Sequence, residues 1–139
     1  MADNAYQQMV FINLATKDLD AAKKFYTELG YTINPQFSDE NTASVVISDS
    51  IVIMLLTEAK FGEFASKPLA DSKAANETLI ALSAESRTAV DELCDRALAA
   101  GGSPAKDPQD YGQMYGRSFQ DPDGHHFEVM WMDPAMVEG

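Results

Sequence analysis

His126 and Glu128 stand two residues apart in the segment HFEVMWM, and that spacing sets what they can do. Side chains alternate faces along an extended strand. His126, Glu128, Met130 and Met132 therefore share one face, and His125, Phe127, Val129 and Trp131 take the other. A carboxylate that loses water is costly unless it is paired. Glu128 can meet an arginine or water at the mouth of a cavity, or it can orient a ligand or act as a general base. His126 and Glu128 alone are too few to hold a divalent metal. Arg117, with Tyr115 and Phe119 on its face, is either the counter-ion of Glu128 or an anchor for a carboxylated ligand. Asn13 is a polar group on an otherwise apolar strand and needs a partner, in a ligand or a backbone amide.

Other residues invite chemistry less. Cys94 falls in a helical apolar stripe and reads as core, not nucleophile. The segment Tyr111–Gly116 has aromatics and glycines but lacks the strand-then-helix setting of a phosphate-cradling loop. Met54, Met130 and Met132 can form an adaptable apolar wall or a plain core.

The chain has 139 residues, the length of one domain, and carries a formal charge of −12. That excess of acid argues against nucleic acid and anionic membrane surfaces as partners. The longest strongly apolar run, Ile51 to Leu56, is far short of the ~20 residues a spanning helix needs. A single cysteine and no secretory pattern at the start read as a cytoplasmic protein.

The elements that must position these residues follow from periodicity. Gln8–Ala15 reads as a strand, Asp18 as a helix N-cap, and Leu19, Ala22, Phe25, Tyr26 and Leu29 as a helical stripe stopped by Gly30. Strands are expected over Tyr31–Phe37, Ala43–Ile47 and Ile51–Leu56. From Thr78 the order recurs: a strand over Thr78–Ser83, an N-cap at Ser86, a helix with Val90, Leu93, Cys94, Ala97 and Leu98, and a stop at Gly101-Gly102. A weak strand over Ser103–Lys106 precedes Met114–Phe119 and His126–Met132, which Asp121-Pro122-Asp123-Gly124 joins as a type I turn.

The halves superpose. Ile12-Asn13-Leu14 matches Ile80-Ala81-Leu82 at an offset of 68 residues, and Val52, Met54 and Leu56 match His126, Glu128 and Met130 at an offset of 74. The expected class is α+β, with two βαβββ units (about 8–56 and 78–133) forming one curved eight-stranded sheet within a single domain, 1–139. Residues 57–77, polar but bearing Phe61, Phe64 and Pro68, serve as a crossover, or as a lid or dimer contact anchored by the phenylalanines.

This repeat, with Asp18-Leu19-Asp20-Ala21-Ala22 leading to Phe25-Tyr26 and Leu29-Gly30, resembles the vicinal oxygen chelate superfamily of glyoxalase I, bleomycin-resistance proteins and extradiol dioxygenases. The Asp121–Gly124 turn followed by Glu128 is the other half of the resemblance. The stretches Met114–Phe119 and Glu128–Pro134 are similar to the lactoylglutathione lyase-like branch. The resemblance implies four metal positions, which fall here on Phe11, Met54, Leu79 and Glu128. Only Glu128 can ligate, so no metal is expected; nickel, zinc, manganese or iron remains the alternative if ligands are displaced. The implied cavity is lined by Phe11, Asn13, Met54, Leu79, Arg117, His126, Glu128 and Met130.

Two activities are expected from that resemblance. One is capture of a small apolar or aromatic molecule, as in the bleomycin-resistance relatives. The other is a glyoxalase-type lyase or isomerase with Glu128 as base. The resemblance further implies a homodimer, to which the Gln8–Ala15 edge can contribute.

Overall fold

Asp18 and Ser86 open the two long helices by the same local chemistry. In the computed structural model, which describes residues 6–137, the Asp18 carboxylate accepts from the Ala21 N–H at 3.0 Å, and the Ser86 hydroxyl accepts from the Ala89 N–H at 3.0 Å. The helices run over Leu19–Glu28 (α1) and Arg87–Ala99 (α3). Gly30 (φ 107°) and Gly101 (φ 109°) turn the chain away in the left-handed region that favours glycine.

The chain divides into two units, one running to Leu69 and the other from Ala70. In the first, β1 (Val10–Thr16) is followed by α1, β2 (Thr32–Ile33), β3 (Thr42–Val46), β4 (Ile51–Thr57) and α2 (Glu58–Phe64). Its sheet has the order β1-β4-β3-β2, with β1 parallel to β4 and the other pairs antiparallel. Helix α1 packs on β3 and β4, burying Phe25 and Tyr26 edge to face at 5.0 Å beside Val45, Ile53 and Leu55. Each such side chain contributes about 1.5–3 kcal/mol on burial.

The second unit runs β5 (Leu79–Ser83), α3, β6 (Ser103–Pro104), β7 (Gln109–Asp110), β8 (Met114–Gln120), β9 (His126–Met132) and a short α4 (Pro134–Val137). Its sheet has the order β5-β9-β8-β6, and β7 pairs with β8. Phe119 and Phe127 stack at 5.2 Å, and with Val129 they complete a core against Val90, Cys94 and Ala97 of α3. Burial pushes the Cys94 thiol up to about 11, in keeping with a core residue.

The α+β class is observed, with the strands in two hydrogen-bonded sheets where one eight-stranded sheet was expected. Strands β1 and β5 each end their own sheet. The register keeps the sequence offsets. Asn13 pairs with Met54 and Met54 with Ser44 in one sheet; Ala81 pairs with Glu128 and Glu128 with Ser118 in the other.

Two local expectations change, and the 57–77 segment gains a helix. Tyr31–Phe37 is a strand only over Thr32–Ile33. Asn34 then caps a single 3-10 turn at Pro35–Phe37 by accepting from the Gln36 N–H, and Pro35 has no amide to give a sheet. Within 57–77, Thr57 caps α2, which packs on β1 and β4 and leaves Phe64 72% exposed. Ser72, further along, donates to the Asp123 carbonyl at 2.7 Å within the second unit. The weak strand after α3 shrinks to Ser103–Pro104, and β7 is an addition.

Candidate functional site

Strand β9 alternates as its sequence requires: Phe127 and Val129 are fully buried under α3, while Glu128 and Met130 on the opposite face are only partly covered. Residues paired across strands share a face, so Ala81 of β5 and Ser118 of β8 flank Glu128. Both neighbours are small, and the carboxylate stands above them. Its hydrogen-bond partner is the His126 Nε2 at 3.0 Å, from an imidazole that is 6% exposed.

A shallow, open cleft lies over this face. Glu128, Met130, Gly116 and Ser118 line it, and Lys106, Asp107 and Gln109 border it. A Cβ at Gly116 would rest against the Met130 Cγ at 3.4 Å, so Met130 packs over the bare backbone there. The Ser118 hydroxyl accepts from the Lys106 N–H at 2.9 Å and donates to its carbonyl at 3.3 Å, tying the bend between β6 and β7 to the floor.

Arg117 corrects the expectation of a Glu128 counter-ion. It follows the odd-numbered face of β8, and its Nη1 lies 2.9 Å from Asp91 and 3.0 Å from Asp95 on α3. Register explains this: Arg117 pairs with Val129, which is buried beneath the helix. Although Arg117 borders the cleft, its charge is directed to the helix side. Tyr115 donates to Asp91 at 2.6 Å. That bond, joined by Arg117, holds the Asp91 carboxyl below its ordinary value, and the same bond to Asp91 pushes the Tyr115 phenol up against the opposing charge of Arg117.

The remaining predicted residues are divided between the two units, with Leu79 paired to His126 in the second. Phe11, Asn13 and Met54 belong to the first unit, where the Asn13 amide donates to the Phe11 carbonyl at 3.2 Å. Phe11 and Leu79 are 55% and 59% exposed. Of the four positions that resemblance assigns to a metal, three carry hydrocarbon or a thioether. A lone carboxylate does not fit a divalent ion that needs three or four oxygen or nitrogen donors. Among the described residues, one further group with metal-ligating atoms within 4.8 Å of one another is Asp121, Asp123 and His125 at the β8–β9 turn. There the buried Asp121 Oδ1 already accepts from the N–H groups of Asp123 and His125, which is the work of a turn.

Sequence reasoning missed the border formed by Lys106, Asp107 and Gln109. Ser118 was legible in principle, since it precedes the turn by the number of residues that sets it opposite Glu128. The border was not, because β7 is two polar residues long and no hydrophobic pattern marks it.

The comparisons agree with this architecture. Residues 8–129 match the Glyoxalase/Bleomycin resistance protein/Dioxygenase superfamily, and the chain belongs to it. A hypothetical protein from S. aureus shares 27% identity with a TM-score of 0.76, covering 92% of this chain and 96% of that one. A lactoylglutathione lyase from Agrobacterium tumefaciens shares 18% identity with a TM-score of 0.66, covering 96% and 98%. A genomically encoded fosfomycin resistance protein from Listeria monocytogenes shares 22% identity with a TM-score of 0.64, covering 91% and 92%. The last two are likenesses of fold. No curated protein matches the chain. Among the described residues, no helix is long and apolar enough to cross a membrane.

Proposed function

We propose that the protein binds a small aromatic or apolar molecule without a metal, on the sheet face around Glu128. The carrying observation is Glu128 itself. It is a partly exposed carboxylate held by His126 at 3.0 Å above small neighbours, in a set of family positions that is otherwise apolar. A ligand with an apolar body and a positive or hydrogen-donating group matches that floor. The charge of −12 favours cationic molecules at long range. We further take the protein to be cytoplasmic, from its single cysteine, and a homodimer, a reading supported by exposed Val10, Phe11 and Leu79 on the sheet-ending strands.

The test uses benzamidine as a flat cationic probe and benzyl alcohol as its neutral counterpart. In an amide NMR titration, benzamidine shifts Ser118, Glu128 and Met130, and Glu128→Gln weakens it about tenfold, as loss of a charged hydrogen bond does. Benzyl alcohol is little affected by that change. Shifts confined to other surfaces overturn the reading. So does about one divalent metal per chain in untagged protein that disappears in Glu128→Gln; glyoxalase-type isomerisation would then be the reaction to assay.

A further inference from the structure

Strand β7 borders the cleft, yet it is only two residues long and pairs with β8 through Gln109–Gly116 and Asp110–Tyr115. Two paired residues are too few to hold a hairpin wall in water. Its two side chains point to opposite faces: Gln109 shares the cleft face with Gly116, and Asp110 shares the helix face with Tyr115.

Arg87, the first residue of α3, grips Asp110 from the helix side. Its Nη2 ion-pairs with Asp110 Oδ2, and its Nη1 donates to the Gly112 carbonyl at 3.3 Å. The other carboxylate oxygen of Asp110 accepts from the Gly112 N–H at 2.9 Å, within a turn closed by the Tyr111 N–H to the Met114 carbonyl at 2.8 Å. Gly112, at φ 79°, supplies the left-handed corner. The guanidinium lies over the Tyr115 ring, 4.6 Å from its centroid, and 5.8 Å from that of Trp131. Tyr115 is fixed in turn by Asp91, one helical turn after Arg87. Among the described residues, the side-chain grip on Asp110 and Gly112 therefore comes from the face away from the cleft, while Ser118 holds Lys106 from the cleft face.

We infer that Arg87 is a positioning residue: by latching Asp110 and Gly112 it fixes the Gln109 wall, and so sets the size of molecule that the Glu128 cleft admits. The inference rests on the binding reading above. The side chains of the ion pair are 40% and 49% exposed, and exposed pairs add little to global stability. The latch should therefore act on the wall and leave the fold nearly unchanged.

Benzamidine and the wider 2-naphthamidine serve as probes with wild type, Arg87→Met, Arg87→Lys and Asp110→Asn. Arg87→Met and Asp110→Asn are expected to speed exchange of the Tyr111 amide about tenfold and change emission from Trp131, the single tryptophan, with little effect on thermal unfolding. The affinity ratio of the two amidines should move about fivefold toward the wider one, the effect of one displaced polar wall contact. Arg87→Lys, which keeps the charge but loses the fork, should recover only part of the ratio. Unchanged amidine ratios with normal wild-type binding overturn the latch alone. Failure of wild type to bind either amidine overturns the binding reading and the latch together.

Discussion

Ser118 sits directly opposite Glu128 across the β8–β9 pair, while Arg117, one residue earlier, reaches Asp91 and Asp95 on α3. Adjacent residues of one strand thus serve two different surfaces. Ser118 ties down the cleft border through Lys106, and Arg117 fastens the helix to the back of the sheet. The carboxylate on the cleft face is left to His126.

The His126–Glu128 bond has a direct consequence for stability. His126→Ala removes the imidazole and leaves a cavity where a nearly buried side chain stood. The expected loss is about 1–2 kcal/mol in urea unfolding, from the hydrogen bond and the lost contacts. An unchanged midpoint would mean that the pair is idle in the folded protein.

Gly124 is the most demanding glycine of the second unit. It sits at φ 91°, and a Cβ there would stand 2.8 Å from the Ser72 carbonyl oxygen and 3.0 Å from the Lys73 Cα. Gly124→Ala must strain the turn and displace the 72–73 backbone, at a cost of about 2–4 kcal/mol. Gly101→Ala, at φ 109° with nothing within 4 Å, meets only the conformational part, about 1 kcal/mol. Equal losses of Tm in the two variants would contradict this account.

Asp91 predicts a feature of acid unfolding. Its folded carboxyl is held below the ordinary value of 3.8, first by the Tyr115 hydroxyl and then by Arg117. The folded state therefore binds that proton less readily than the unfolded chain. The contribution is full above pH 3.8 and is lost as pH falls below it, through the folded value. Asp91→Asn should lower stability at neutral pH and make the decline below pH 4 shallower, as read by urea midpoints at several pH values. A parallel decline in both proteins would remove Asp91 from the acid limb.

How much was legible depends on the range over which each residue acts. Asp18 and Ser86 revealed the helix starts because a cap is satisfied within three residues. The run from His126 to Met132 gave its strand ends and faces, since alternation is a local rule. Arg117 was harder, because a slip of one residue turns every side chain of a strand over and only the pairing with Val129 fixes the parity. Asn34 and Pro35 broke an expected strand through one side-chain cap. The β7 wall was hidden because, beside its own short turn, it is held by Arg87, 22 residues before Gln109.

The shared register of the two sheets gives the protein an internal control. Met54 is paired to Asn13 and Ser44 as Glu128 is paired to Ala81 and Ser118. At that position the first unit is thus an uncharged counterpart of the second, built on the same ladder and present at the same concentration in every sample. A molecule that recognises the pleated floor alone should perturb both sheets; one that recognises the carboxylate should perturb a single sheet. Each titration of this chain carries its own blank.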